Sequence, residues 1–158
     1  MNGLTNFQII DIAKRLKINL NAVCAKDELK DYDLKPGLYV INLENSNQGG
    51  SHWVSLIIYT NKNKMHAFYI DSFGQLPPTE IEDFIKPLNE KLPYNNRQIQ
   101  PFNSSYCGLY GLSLAYMLQY HRTSDNIMND IHKWIATFPS DLSKSKEVLE
   151  KSFYPNKV

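Results

Sequence analysis

Two cysteines, Cys24 and Cys107, are all that this 158-residue chain contains, and they lie far apart in the sequence. They cannot build a disulfide framework, and a chain of this length buries enough surface on folding to need none. Long apolar runs are also missing. The most apolar stretches, Trp53–Tyr59 and Leu109–Leu118, fall short of the roughly 20 residues a membrane-spanning helix requires. The opening, MNGLTNFQIIDIAKRL, lacks the apolar core and small-residue cleavage site of a secretory leader, so the expectation is a reducing, intracellular compartment and no membrane. Charge of one sign is lacking as well, with 17 basic against 16 acidic side chains and a net charge of +1. The balance is local: residues 1–48 carry six of each sign, 49–106 five of each, and 107–158 six basic and five acidic. That leaves no basic block to release counterions from a polynucleotide, and nucleic acid is not expected as a partner.

What is present describes one globular domain over residues 1–158, with 42% hydrophobic and 12% aromatic content and neither repeats nor low-complexity segments. Lysine outnumbers arginine 14 to 3, and there are 16 Asn and 14 Ile, a bias that follows AT-rich codons. Thr5 followed by Gln8 fits a capping box, and Phe7, Ile10, Ala13 and Leu16 recur at helical spacing, predicting a helix over 5–17. Residues 18–36 read as irregular. Strands are predicted at 38–43, 52–60 and 65–71, the last two joined by a hairpin loop at 61–64. A helix is predicted over 79–90, which Pro87 should kink or end, and a short strand should follow at 97–102. Residues 107–120, apolar on most sides and carrying Gly108, Gly111, Ser113 and Ala115, read as a central helix packed on several sides. Two further helices are predicted at 125–137, capped by Ser124, and at 144–152. The fold class is α+β, a small mixed sheet with flanking helices and the central helix starting at Cys107.

Cysteine catalysis needs a thiolate, a histidine to pair with it, a group to orient the imidazole, and donors for an oxyanion. Cys107 opens the central helix, where free N–H groups and the helix dipole favour negative charge, and its own N–H supplies one oxyanion donor. Gln100, seven residues upstream, is a neutral amide suited to be the second. His52 follows Gly49-Gly50-Ser51 at the mouth of a strand, and the returning strand of that hairpin ends at Asp71, which brings the two side by side. Gly50 and Ser51 would let a substrate backbone pass close by, Trp53 would roof a narrow groove, and Gly108 would leave room for substrate main chain. Each residue type also has a structural use: a cysteine packs in an apolar helix, a strand-end histidine bonds locally, and an aspartate before Ser-Phe-Gly starts a turn. His66, His121 and His132 lack a comparable setting, and no Cys/His spacing suggests zinc.

Taken together, Gly49-Gly50-Ser51-His52-Trp53, Tyr69-Ile70-Asp71-Ser72-Phe73-Gly74 and Gln100-Pro101-Phe102-Asn103-Ser104-Ser105-Tyr106-Cys107-Gly108-Leu109 resemble the adenovirus maturation protease (adenain) family. That family includes relatives in other large DNA viruses and virophages, and shares a clan with the ubiquitin-like-protein peptidases. Six residues separate Gln100 from Cys107, where the deconjugating peptidases usually have five. The resemblance covers roughly residues 5–120. It implies His52 as base and acid, Asp71 as its orienter, Cys107 as nucleophile and Gln100 as oxyanion donor.

It further implies a monomeric cysteine endopeptidase cutting capsid or core precursors at Gly-Gly-type sites in the host cytoplasm or viral factory, and packaged in the virion. The alternatives are removal of ubiquitin-like modifiers by the same four residues, and a non-catalytic peptide-binding module on the same fold. The adenovirus enzyme is activated by DNA and by a disulfide-linked peptide. The near-neutral charge here and the absence of a matching motif around Cys24 carry neither cofactor over. Added DNA is therefore expected to change peptide cleavage little; strong stimulation that vanishes at high salt would show a basic face assembled by folding.

Overall fold

A threonine and a glutamine start the first helix by satisfying each other's backbone. Thr5 Oγ1 accepts from the N–H of Gln8, and Gln8 Oε1 accepts from the N–H of Thr5, closing the capping box. The computed structural model describes residues 3–49 and 52–153. Helix α1 runs Asn6–Arg15 and stops at Leu16, before Lys17 turns left-handed at φ 54°. Its Ile9 and Ala13 are buried.

Residues 18–36, read as irregular, contain strand β1 (Ala22–Ala25) and a 3-10 turn over Lys26–Asp31. Four residues of Ala, Val and Cys carry too short a pattern to announce a strand; β1 forms because it pairs in parallel with β2 (Gly37–Asn42), Val23 opposite Val40. Strands β3 (Trp53–Asn61) and β4 (Lys64–Ile70) complete an antiparallel meander with β2, in the order β1-β2-β3-β4. The β3–β4 turn consists of Lys62 and Asn63, both left-handed at φ 53° and 62°, the geometry whose twist matches a two-residue hairpin.

Both faces of the sheet are covered. Leu38, Val40, Ile57, Phe68 and Ile70 face one core, while Tyr39, Ile41, Leu56, Ile58 and Tyr69 face another under Leu29, Ile81 and Ile85. This double burial makes the strands read as nearly continuous apolar runs. Helix α2 (Thr79–Phe84) belongs to the second core and gives way to a 3-10 turn, Lys86–Leu88, that contains Pro87. The strand expected at 97–102 is not there. That segment bends at 97 and 100 and joins no ladder, and the N–H groups of Ile99 and Gln100 both donate to the Ser72 carbonyl at 2.9 and 3.0 Å.

Helix α3 (Cys107–Tyr120) occupies the first core and is buried from Cys107 through Ala115. Around it pack α1, α4 (Ile127–Ala136) and α5 (Ser145–Phe153). The cap of α4 is Asn126, whose Oδ1 accepts from Met128; Ser124, expected in that role, accepts from the N–H of Asn126. Among the described residues no helix is long and apolar enough to cross a membrane.

The seat of α3 on the sheet depends on Gly111, where a Cβ would lie 2.9 Å from Ser55 Oγ and 3.8 Å from Val40 Cγ2. Gly111→Leu is expected to destabilise by about 1–3 kcal/mol through overpacking. Gly49→Ala, whose Cβ would meet nothing within 4 Å, should leave the urea midpoint unchanged. Equal midpoints for both variants would refute this account of the helix–sheet contact.

Candidate active site

Cys107 is the first residue of α3, so its N–H has no carbonyl of its own helix to bond. Its Sγ lies 3.4 Å from the backbone N–H of Trp53, a donor from the start of β3 aimed at the sulfur. His52 stands one residue before, at the mouth of that strand. Its Nε2 meets Asp71 Oδ1 at 2.6 Å, just past the end of β4, and its Nδ1 is buried with no hydrogen-bond partner. The antiparallel hairpin thus brings the acid and the imidazole together, as their positions at its open end predict, and the close packing of α3 on β3 adds the thiol.

Asp71 is held from several directions. Its Oδ1 also accepts from the N–H of Phe73 at 2.8 Å, so the same atom shapes the turn and takes the imidazole. Asn95, buried, accepts from the Asp71 N–H at 3.0 Å and donates to the Asp71 carbonyl at 2.7 Å and the Arg97 carbonyl at 3.0 Å. The turn closes with the Gly74 N–H on the Asp71 carbonyl at 2.8 Å. Gly74 sits at φ +76°, where a Cβ would come 3.1 Å from the Gln98 nitrogen, so glycine serves both the backbone angle and the close approach.

Gln100 is fully buried beside that turn. Its Oε1 accepts from Ser72 Oγ, and its Nε2 donates to Ser104 O at 3.0 Å and Ser104 Oγ at 3.2 Å, within the loop that leads to Cys107. The Ser104 carbonyl, which can only accept, therefore settles that the nitrogen end of the amide faces that loop. Asn95 and Ser72 carry no sequence signal of this role, because nothing local distinguishes them from turn and loop residues. Arg97 ties the same segment to the end of α4 through the carbonyls of Ile135 and Phe138.

A cleft of about 770 Å³ opens at Cys107, lined by Trp53, Leu4, Ser104, Cys24, Glu28 and Glu44 among others. Trp53 lines it as a wall more than a roof: the residue is 7% exposed and its indole N–H donates to the Leu4 carbonyl at 2.8 Å. Gly108 is a correction. The space expected for substrate main chain is taken by α1 and the segment before it, with Ile9 Cδ1 3.2 Å and Leu4 Cδ1 3.3 Å from where its Cβ would be. Gly50 and Ser51 lie outside the described residues. Cys24 is a free, buried thiol whose pKa is pushed up to about 12 by burial, with Glu28 and Asp27 adding to the cost of the anion. Among the described residues no group of three or more His, Cys, Asp or Glu could hold a metal ion.

The model of the Ulp1 protease family, C-terminal catalytic domain, matches residues 8–135, a span that includes His52, Asp71, Gln100 and Cys107. The chain belongs to that family, whose members are cysteine peptidases. It is 26% identical over 113 residues, 66% of its length, to a protein of Acanthamoeba polyphaga mimivirus that carries the name of a thiol protease, and it spans 37% of that protein. Its fold is that of the ASFV pS273R protease, with TM-scores of 0.56 and 0.57 for two crystal structures at 16% identity. Those matches cover 94% of this chain and 67% and 66% of the other.

The pKa of His52 reflects opposed forces. Burial disfavours its charge, but the bond to Asp71 and the neighbouring Cys107 outweigh burial and raise the pKa from 6.5 to about 9. A raised folded value means that protonated His52 contributes stability fully below about pH 6.5, and that this is lost as pH rises through about 9. Imidazole NMR should show the raised titration. In Asp71→Asn the titration should move down, since the carboxylate is lost while burial remains; an unmoved titration would remove the ion pair from this account.

Proposed function

We propose that this chain is a cysteine endopeptidase in which Cys107 is the nucleophile, His52 the acid and base, and Asp71 the group that orients the imidazole. The observation that carries the reading is the set of contacts at the start of α3. A largely but not fully buried imidazole stands between a carboxylate and a helix-end thiol, with a backbone N–H aimed at the sulfur. With the proton on His52, Cys107 attacks the scissile carbonyl carbon and forms a C–S bond, and the carbonyl oxygen gains the negative charge. The Cys107 N–H and the Gln100 amide are the donors for that oxygen, Gln100 exchanging its longer bond, to the Ser104 hydroxyl, for the oxyanion. The C–N bond then breaks as His52 gives its proton to the leaving amine. Water, losing a proton to His52, hydrolyses the thioester and restores the thiolate–imidazolium pair.

For substrate, the reading is a polypeptide cut at Gly-Gly-type sites, with small residues on the acyl side of the bond, in structural precursors of a virus or virus-like element with AT-rich coding, processed in the infected cell and carried into the particle. Gly49 and the Trp53 wall support the preference for small residues, since a side chain beside the indole would meet it. The viral sources of the mimivirus and ASFV relatives support the setting. Removal of ubiquitin-like modifiers would use the same four residues on a folded partner, and a peptide substrate without any folded modifier separates the two.

A Gly-Gly-containing peptide should be cleaved by wild type and left intact by Cys107→Ala. Gln100→Ala should fold and lose roughly 10²–10³ in kcat, the usual cost of one oxyanion donor, whereas Gln98→Ala should lose much less. Activity surviving in Cys107→Ala, or an electrophilic peptide that fails to label Cys107, would point to a non-catalytic binding module.

A further inference from the structure

Phe73 lies in the turn that follows Asp71, and its ring stacks on the His52 imidazole with centroids 4.3 Å apart and planes 13° from parallel. The ring of Phe102, on the loop between Gln100 and Cys107, sits 5.2 Å from that of Phe73 and is 65% exposed. Phe102 thus stands open to water beside the half-buried Phe73, next to the imidazole, as an apolar surface on which a substrate can rest. Neither phenylalanine lines the cleft at Cys107, and neither does His52.

The direction of the chemistry says which part of a substrate would meet these rings. The amine that leaves takes its proton from His52, so its nitrogen must lie against the imidazole, and the residues that follow the cut bond emerge past it. The acyl half then occupies the cleft on the other side of the sulfur. We propose that Phe73 and Phe102 form the binding surface for the leaving half of the polypeptide, and that this surface selects a large apolar or aromatic residue in the first two positions after the cut. The inference rests on the peptidase reading and adds to it a specificity that the small-residue acyl side does not contain.

The test uses peptides identical up to the cut, with Phe or Leu against Ser or Asp in the two positions after it. A methyl ester of the acyl half, with no residue beyond the bond, is the companion substrate. Wild type is expected to favour the apolar series by roughly tenfold in kcat/KM, from ring contact and burial on the leaving side. Phe102→Ala should bring that ratio close to one and Phe102→Leu should restore part of it; since Phe102 is mostly exposed, both should fold, as thermal unfolding will show. A ratio near one in wild type, or one unchanged by Phe102→Ala, while the methyl ester is hydrolysed, would overturn the leaving-side surface and leave the peptidase reading standing. No hydrolysis of ester or peptides by wild type would sink both.

Discussion

The site depends on one splice, where the end of β4 is tied to the segment that precedes α3. The Ser72 carbonyl takes two N–H groups from Ile99 and Gln100, its hydroxyl holds the Gln100 amide, and Asn95 grips the Asp71 backbone on both sides. All of these groups are buried, where each unmade hydrogen bond costs about 1–3 kcal/mol, so the splice has few alternatives. It sets the carboxylate that meets His52 and the amide that precedes Cys107 in one rigid unit. Arg97 extends it to the carbonyls at the end of α4, where a cation is favoured by the helix dipole.

Around that unit, electrostatics divides the two cysteines. Cys107 starts a helix, with the Trp53 N–H 3.4 Å from its sulfur and the His52 imidazole beside it. Cys24 lines the same cleft but lies in a buried strand near Asp27 and Glu28, which oppose ionisation. The two residues share a residue type and a cavity, and differ in which charges surround them.

Several residues carry structural and chemical duties at once. Asp71 makes its turn and orients the imidazole through a single oxygen, and Trp53 walls the cleft with its ring, anchors the segment before α1 through its N–H, and aims its backbone at the sulfur. Gly108 shows the opposite outcome. Its lack of a side chain is used by Ile9 and Leu4, so a residue that reads as a substrate groove serves the packing of the helix that closes the core.

Interactions between chain neighbours were legible in the sequence: the Thr5–Gln8 box, a hairpin turn within 61–64, the interruption of a helix near Pro87 and the start of α3 at Cys107. So was the meeting of His52 and Asp71, because a hairpin carries its open ends into register. Tertiary packing alone decided the rest. Strand β1 exists because β2 offers it an edge, and the segment 97–102 forms no ladder because the N–H groups of Ile99 and Gln100 turn to Ser72. The bond from Trp53 to Cys107 spans 54 residues, and the Phe73–Phe102 contact joins two loops with no common pattern. Local propensity acts over a few residues and periodicity over one element. Which groups face one another across elements is set by how helices and sheet close-pack, and that is determined only when the whole chain has folded.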